Sequence, residues 1–156
     1  MILSRDEFLD FSHNAQKDGK SVVFTNGCFD IVHRGHVDYL TVAANLGDVL
    51  LVGINTDASV KRIKNEGRPL IGEADRALVI AALKCVDAVC LFDDDTPLNL
   101  IRDVKPDVLV KGAEYDIKEI VGNEDVLARG GKVVSVPMTP GISTTKIIQL
   151  IKGLPD

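Results

Sequence analysis

No apolar run in this 156-residue chain approaches the ~20 residues that a membrane-crossing helix needs; the longest are of the size of VLLVGI at 49–54. The opening MILSRDEFLDF carries acids where a secretory signal would carry basic and then apolar residues. A cytoplasmic protein with no membrane partner is therefore expected. Cysteine is scarce: Cys28, Cys85 and Cys90 are an odd number without paired metal-type spacing. A disulfide framework or a zinc ribbon is not expected, and reduced thiols fit the same compartment. Positive charge is short too, since 18 Lys and Arg against 23 Asp and Glu leave a net charge of -5. That argues against nucleic acid as a partner, and any anionic substrate must be met by a local cluster of cations. Internal repeats and low-complexity segments are absent.

What the chain does have is hydrophobic content of 46%, enough for one buried core over so few residues and too little for two. One domain spanning 1–156 is expected, with a leading amphipathic helix in 1–18 and an α/β core over 19–152. Apolar runs of strand length recur at SVVF (21–24), VLLVGI (49–54), DAVCLF (87–92), DVLV (107–110) and KVVSV (132–136), each followed by helical spacing. Continuous Val, Leu and Ile runs suit strands covered on both faces. The pattern predicts a Rossmann-like, doubly wound, five-stranded parallel sheet. Helices are predicted over 36–45, 73–84, 97–104, 117–129 and 144–152. The DDDTP run at 93–97 reads as a cap for the helix after it, and NEGRPLIG at 65–72 is the longest polar connection, open to a reading as a mobile lid.

Ligands of such sheets bind beyond the carboxyl ends of the strands, near the point where strand order reverses. The first strand-to-helix junction reads TNGCFDIVHRGH. Gly27 permits close approach of backbone to ligand, and the free N–H groups at the start of the next helix form an anion site. Phosphate is the natural guest. His33 and His36, three apart, project from one face if helical geometry has begun, and Gly35 between them keeps that face open. Two imidazoles suit donation to a phosphoryl group as its charge shifts. The same H-x-x-H pair is also compatible with zinc held together with Asp30 or Asp38.

GCFDIVHRGH resembles the signature of the cytidylyltransferase-like nucleotidyltransferases, a G-x-F-D loop followed by H-x-G-H, and GISTTKII at 141–148 resembles their second signature. NTDASVKRIKNEGRP, ALKCVDAV and PDVLVKGAEYDIKEIVG extend the likeness, over about 2–152, to the adenylyltransferase domain of bacterial heptose biosynthesis. That domain is often fused behind a sugar kinase; with no kinase in these 156 residues, a stand-alone form is the expectation. The resemblance implies the H-x-G-H nucleotidyltransferase fold and transfer of AMP from ATP to D-glycero-β-D-manno-heptose 1-phosphate, giving ADP-heptose and pyrophosphate for lipopolysaccharide or other surface glycans. It implies Mg2+ accompanying ATP, a sugar 1-phosphate as second substrate and a homodimer. Glycerol 3-phosphate cytidylyltransferase and flavin mononucleotide adenylyltransferase are alternatives within the superfamily, and a non-catalytic nucleotide-binding module is one outside it.

By position in the motifs, His33, His36 and Lys64 are implied to be catalytic, with Lys61 and Lys64 not separable by spacing. Asn26, Gly27, Cys28, Phe29, Gly35, Lys111, Gly112, Glu114, Ser143, Thr144 and Thr145 are implied to hold the nucleotide, and Asp30, Asn55, Lys61 and Arg76 the second substrate. No metal ligands are assigned. The arginine that often precedes the second signature is missing from PMTPGISTT. Cys28 at a helix start has a reading as an activated thiolate; its family position commonly takes threonine, which favours a role for its backbone.

Overall fold

The computed structural model describes residues 1–64, 67–112 and 116–154. Strands β1 (Val22–Gly27), β2 (Val49–Asn55), β3 (Ala88–Phe92), β4 (Val108–Gly112) and β5 (Lys132–Val136) pair in parallel in the order β3-β2-β1-β4-β5. The helices are α1 (Arg5–Lys17), α2 (Arg34–Ala44), α3 (Asp57–Ile63), α4 (Glu73–Ala81), α5 (Leu98–Val104), α6 (Asn123–Ala128) and α7 (Thr144–Lys152). The chain steps outward from β1 to β3, then returns to the other side of β1 for β4. Strand order thus reverses between β1 and β4, which opens a crevice at their carboxyl ends.

Alternate side chains of the strands feed two separate cores, which is why the apolar runs are continuous. Phe24, Leu51, Cys90 and Leu109 pack with Phe8 of α1 and with Leu100, Ile101 and Val104 of α5. Val23, Leu50, Val52, Ile54 and Val110 face the other way, onto Tyr39, Leu40 and Ala43 of α2 and Ala77 and Ile80 of α4. All of β2 is buried. The predicted doubly wound parallel sheet is the one observed.

Several boundaries differ from the sequence reading. β1 continues through Asn26 to Gly27 and β4 through Lys111 to Gly112, because sheet pairing carries these polar residues past the end of each apolar run. The helix predicted over 117–129 is broken into a 3-10 turn at Ile117–Glu119 and α6, with Gly122 at φ 85° between them. A Cβ at Gly122 would lie 2.9 Å from Ile101 Cδ1, so the break is also a packing contact. α3 is an additional helix, capped by the Thr56 hydroxyl, which accepts from Ser59 N–H at 3.1 Å. The acidic run does not cap α5, whose first residues follow Pro97 without a side-chain cap. It fastens α3 instead: Asp95 accepts from Arg62 Nε at 2.6 Å, Asp93 accepts from the Thr56 hydroxyl, and Ser59 Oγ donates to the Asp94 carbonyl at 3.0 Å.

Candidate active site

His33 is the N-cap of α2 and His36 its third residue, and the two side chains cap the helix reciprocally. His33 Nδ1 accepts from Gly35 N–H at 3.1 Å, while His36 Nδ1 accepts from His33 N–H at 3.4 Å. With Nδ1 accepting in both rings, each neutral imidazole carries its proton on Nε2. Burial lowers the His36 pKa to about 4, with the neighbouring His33 adding to the effect. Burial lowers His33 as well. Both rings are neutral hydrogen-bond donors at pH 7. They stack with centroids 4.0 Å apart, and the Phe29 ring meets His36 edge-on at 5.4 Å.

This arrangement does not suit zinc. Each Nδ1 is engaged with backbone, Asp38 accepts from Arg34 Nε at 3.2 Å and from Thr139 Oγ1 at 2.9 Å, and Asp30 is held as described below. Among the described residues no group of three or more His, Cys, Asp or Glu is placed to share a metal ion.

A cleft of about 620 Å³ opens at the carboxyl ends of β1 and β4. Asn26, Gly27, Cys28, Phe29, Asp30, His36, Asn55, Lys64, Lys111, Gly112, Thr144 and Thr145 line it, a convergence of the first signature, the strand ends and the start of α7. Lys111 Nζ donates to Asn26 Oδ1 at 3.1 Å across the switch point. Burial and the charge of Lys64 lower the Lys111 pKa. Thr144 and Thr145 open α7, where Ser143 caps by accepting from Lys146 N–H at 3.1 Å. Of the two lysines that spacing left unresolved, Lys64 lines the cleft and Lys61 is exposed on α3 outside it. Asn55 is buried, and its amide donates to Ser59 Oγ at 2.9 Å. Burial raises the Cys28 thiol pKa despite the nearby cations Lys64, Arg76, Arg68 and Lys111, so the sulfur stays protonated at neutral pH. That removes the chemical basis of a thiolate nucleophile.

Other expected residues sit elsewhere. Asp30 borders the cleft, but its fully enclosed carboxylate is engaged by Arg68 and by the N–H groups of Leu70 and Ile71, each at 2.8 Å. It anchors a strap rather than meeting substrate. The described part of the 65–72 connection is thus tied down, not a free lid; Asn65 and Glu66 lie outside the described residues, as does Glu114. Arg76 is not a substrate clamp, because its side chain is fully enclosed and directed at protein oxygens. Gly35 leaves room for protein rather than ligand: a Cβ there would stand 3.0 Å from His33 Cε1 and 3.4 Å from Ile142 Cγ2. His33 is buried behind the lining.

The cleft also includes Tyr39, Ile63 and Met138, which the motifs do not mark, and Arg68, one of a basic cluster with Lys61, Arg62 and Lys64 from which a phosphate contact is expected. Tyr39 had a usable signal, three residues after His36 on α2, and Met138 stands two residues beyond the end of β5. Tyr39 is buried with its hydroxyl donating to the Val110 carbonyl at 3.1 Å, and burial pushes its pKa up to about 12. A Cβ at Gly112 would approach its ring at 3.0 Å and Met138 Sδ at 3.1 Å, so the strand end must be glycine for these walls to close.

Comparison with known proteins agrees with this geometry. The cytidylyltransferase-like family model matches residues 24–150. The bifunctional protein HldE of Citrifermentans bemidjiense is 58% identical over 133 residues, which are 85% of this chain and 27% of that protein. The bifunctional protein HldE of Campylobacter fetus is 51% identical over 152 residues, 97% of this chain and 31% of that one. The chain therefore spans less than a third of the length of these relatives. The crystal structure of the lipopolysaccharide core biosynthesis protein from Thermoplasma volcanium is 30% identical with a TM-score of 0.64, covering 78% of this chain and 98% of its own. Signature loop, switch-point cleft and matched relatives lead to one assignment: the chain belongs to the cytidylyltransferase-like family and is a nucleotidyltransferase.

Proposed function

We propose that the protein transfers AMP from ATP to D-glycero-β-D-manno-heptose 1-phosphate, giving ADP-heptose and pyrophosphate for lipopolysaccharide assembly. The observation that carries this reading is the meeting of His36, Lys64, Lys111, Thr144 and Thr145 around one cleft at the switch point. Neutral Nε2–H groups, ammonium groups and threonine hydroxyls at a helix start are donors suited to phosphate oxygens. The sugar phosphate oxygen attacks the α-phosphorus in line, the bond to the β-phosphate oxygen breaks, and pyrophosphate leaves. No covalent bond to the protein forms. Catalysis is then positioning and charge stabilisation. Adenine and heptose, in place of other bases and acceptors, are supported by the sequence resemblance and by the relatives named HldE.

Magnesium would enter this cleft only as a companion of the triphosphate, whose oxygens would hold it. The cleft offers cations, hydroxyls and N–H groups rather than a carboxylate cage, and Asp30 is already engaged. The chemistry Mg2+ would supply there is neutralisation of the charge on the pyrophosphate that leaves. Lys64 and Lys111 would hold phosphate oxygens, and His36 would donate at the α-phosphoryl group. Residues 1–156 act as one nucleotidyltransferase unit in this reading, in the cytoplasm and as a homodimer.

The test is a panel of heptose 1-phosphate, other sugar phosphates, glycerol 3-phosphate and flavin mononucleotide against ATP and CTP, scored by pyrophosphate release. ATP with heptose 1-phosphate is expected to lead. CTP with glycerol 3-phosphate in front would replace the reading, and binding without turnover would point to a regulatory module.

A further inference from the structure

Among the described residues Arg76 is the bulkiest fully buried side chain. Its guanidinium reaches three separate stretches of chain: Nη1 donates to the Cys28 carbonyl, Nε to the Ile71 carbonyl at 2.9 Å, and Nη2 to Asp57 Oδ1 at 2.7 Å. Each stretch contains or leads to residues that line the cleft: Cys28 itself, Arg68 before Ile71, and Ile63 and Lys64 after Asp57. Cys28 is in the signature loop, Ile71 ends the strap that Asp30 anchors, and Asp57 opens α3, the helix that leads to Lys64. Glu73 of α4 ties the same corner by accepting from Asp57 N–H at 2.6 Å. An apolar side chain would fill this place without the desolvation cost of a guanidinium. What it would not do is hold three oxygens in fixed relation.

One of those oxygens sets the direction of a neighbouring donor. In a trans peptide the C=O and the following N–H point opposite ways. With the Cys28 carbonyl turned onto buried Arg76, the Phe29 N–H is turned away from it. Phe29 has φ 49°, a left-handed value that non-glycine residues seldom adopt and that surrounding contacts must enforce. Among the described residues nothing accepts from this N–H, and Phe29 lines the cleft.

We infer that Arg76 is a positioning residue: it turns the Cys28–Phe29 peptide so that the Phe29 N–H is presented to the nucleotide phosphates, and it ties α3 and the 68–71 strap to the same point. The inference rests on the nucleotidyl-transfer reading but on no particular acceptor sugar. A shift of a bound phosphate by about 1 Å is enough to cost on the order of a hundredfold in rate. Lysine retains the charge and cannot reach three oxygens.

The test compares Arg76→Lys with Val104→Ala, a cavity variant in the core on the far face of the sheet, chosen to lower melting temperature without touching the cleft. Turnover, KM for ATP and the amide resonance of Phe29 on addition of Mg-ATP are measured on both and on the parent. In the parent the Phe29 amide should shift with Mg-ATP. In Arg76→Lys that shift should be lost and kcat/KM for ATP should fall roughly a hundredfold, while Val104→Ala stays near the parent at temperatures below its melting. Should Arg76→Lys not fold, Asp57→Ala, which removes the acceptor of one of the three contacts, is read in the same way and should show a smaller loss of the same kind. Equal behaviour of the arginine or aspartate variant and Val104→Ala would overturn the inference, as would a parent whose Phe29 amide ignores Mg-ATP. A parent whose amide responds, and loses the response in the variant, but which turns over no sugar phosphate would instead sink the acceptor assignment and leave the positioning role standing.

Discussion

His33 and His36 hold each other in place across the first turn of α2, rings stacked at 4.0 Å, with His33 N–H donating to His36 Nδ1 at 3.4 Å. The helix start therefore fixes the tautomer of the residue that faces the cleft. A motif usually read only as a ligand pair is also a cap, so the two histidines have unequal parts: His36 lines the cleft and His33 sits behind it.

Removing His36 is expected to show in turnover. If it donates to the α-phosphoryl group chiefly as charge develops, His36→Ala keeps ATP affinity near that of the parent. Its kcat falls roughly a hundredfold to a thousandfold, about 3 to 4 kcal/mol, the loss of one preorganised donor. His33→Ala should weaken both affinity and turnover, because it also loosens the cap. Calorimetry and pyrophosphate release separate the cases, and full activity in His36→Ala would remove the assignment.

The same ring predicts a pH effect on stability. The folded pKa of His36 is about 4, below the ordinary 6.5, so between these values the unfolded chain binds the extra proton. Stability is then present above about 6.5 and is lost as pH falls toward 4. Carboxylates with lowered pKa, such as Asp48 and Asp93, also lose stability on acidification, at lower pH. His36→Gln should thus lose less melting temperature than the parent on going from pH 7 to pH 5. Parallel profiles would show that the ring is not held neutral.

Lys64 and Lys61 should separate cleanly. Lys64 lines the cleft, while Lys61 is exposed outside it. Lys64→Ala is expected to cost about a hundredfold to a thousandfold in kcat/KM, in the range of one lost charge-stabilising donor, and Lys61→Ala should match the parent. The reverse order would place the catalytic cation one helical turn earlier.

Cys28 lines the cleft with a thiol that burial keeps protonated, so its backbone is the part expected to serve the site. Cys28→Ser should keep activity within about tenfold, because the N–H and the loop geometry survive. Complete loss in a folded variant, or a trapped covalent adduct, would return the nucleophile to consideration.

Much of this architecture is legible in the chain because physical requirements mark it there. Strands buried on both faces must be apolar throughout, so VLLVGI and DVLV announce a parallel sheet. The signature loop and ISTT stand at the sheet edge that strand order selects. What stayed hidden depends on tertiary contacts. Asn26–Gly27 and Lys111–Gly112 read as loop because they are polar or glycine, yet pairing with neighbours extends the strands through them. The seven-residue α3 is too short for a periodic pattern, and Asp93 and Asp95 look like a cap until Arg62 is seen to reach them. Position in the motifs marks Arg76 and Asp30 as substrate ligands; only their enclosure by Cys28, Ile71, Asp57 and Arg68 shows that they hold the walls.

The most direct test of adenylyl transfer is to follow ATP labelled at its α-phosphorus during incubation with heptose 1-phosphate and Mg2+. The predicted result is label in ADP-heptose, unlabelled pyrophosphate formed mole for mole, and no labelled protein at any time. Label that stays in ATP or appears on the protein, or a faster transfer of CMP from CTP to glycerol 3-phosphate, would contradict it.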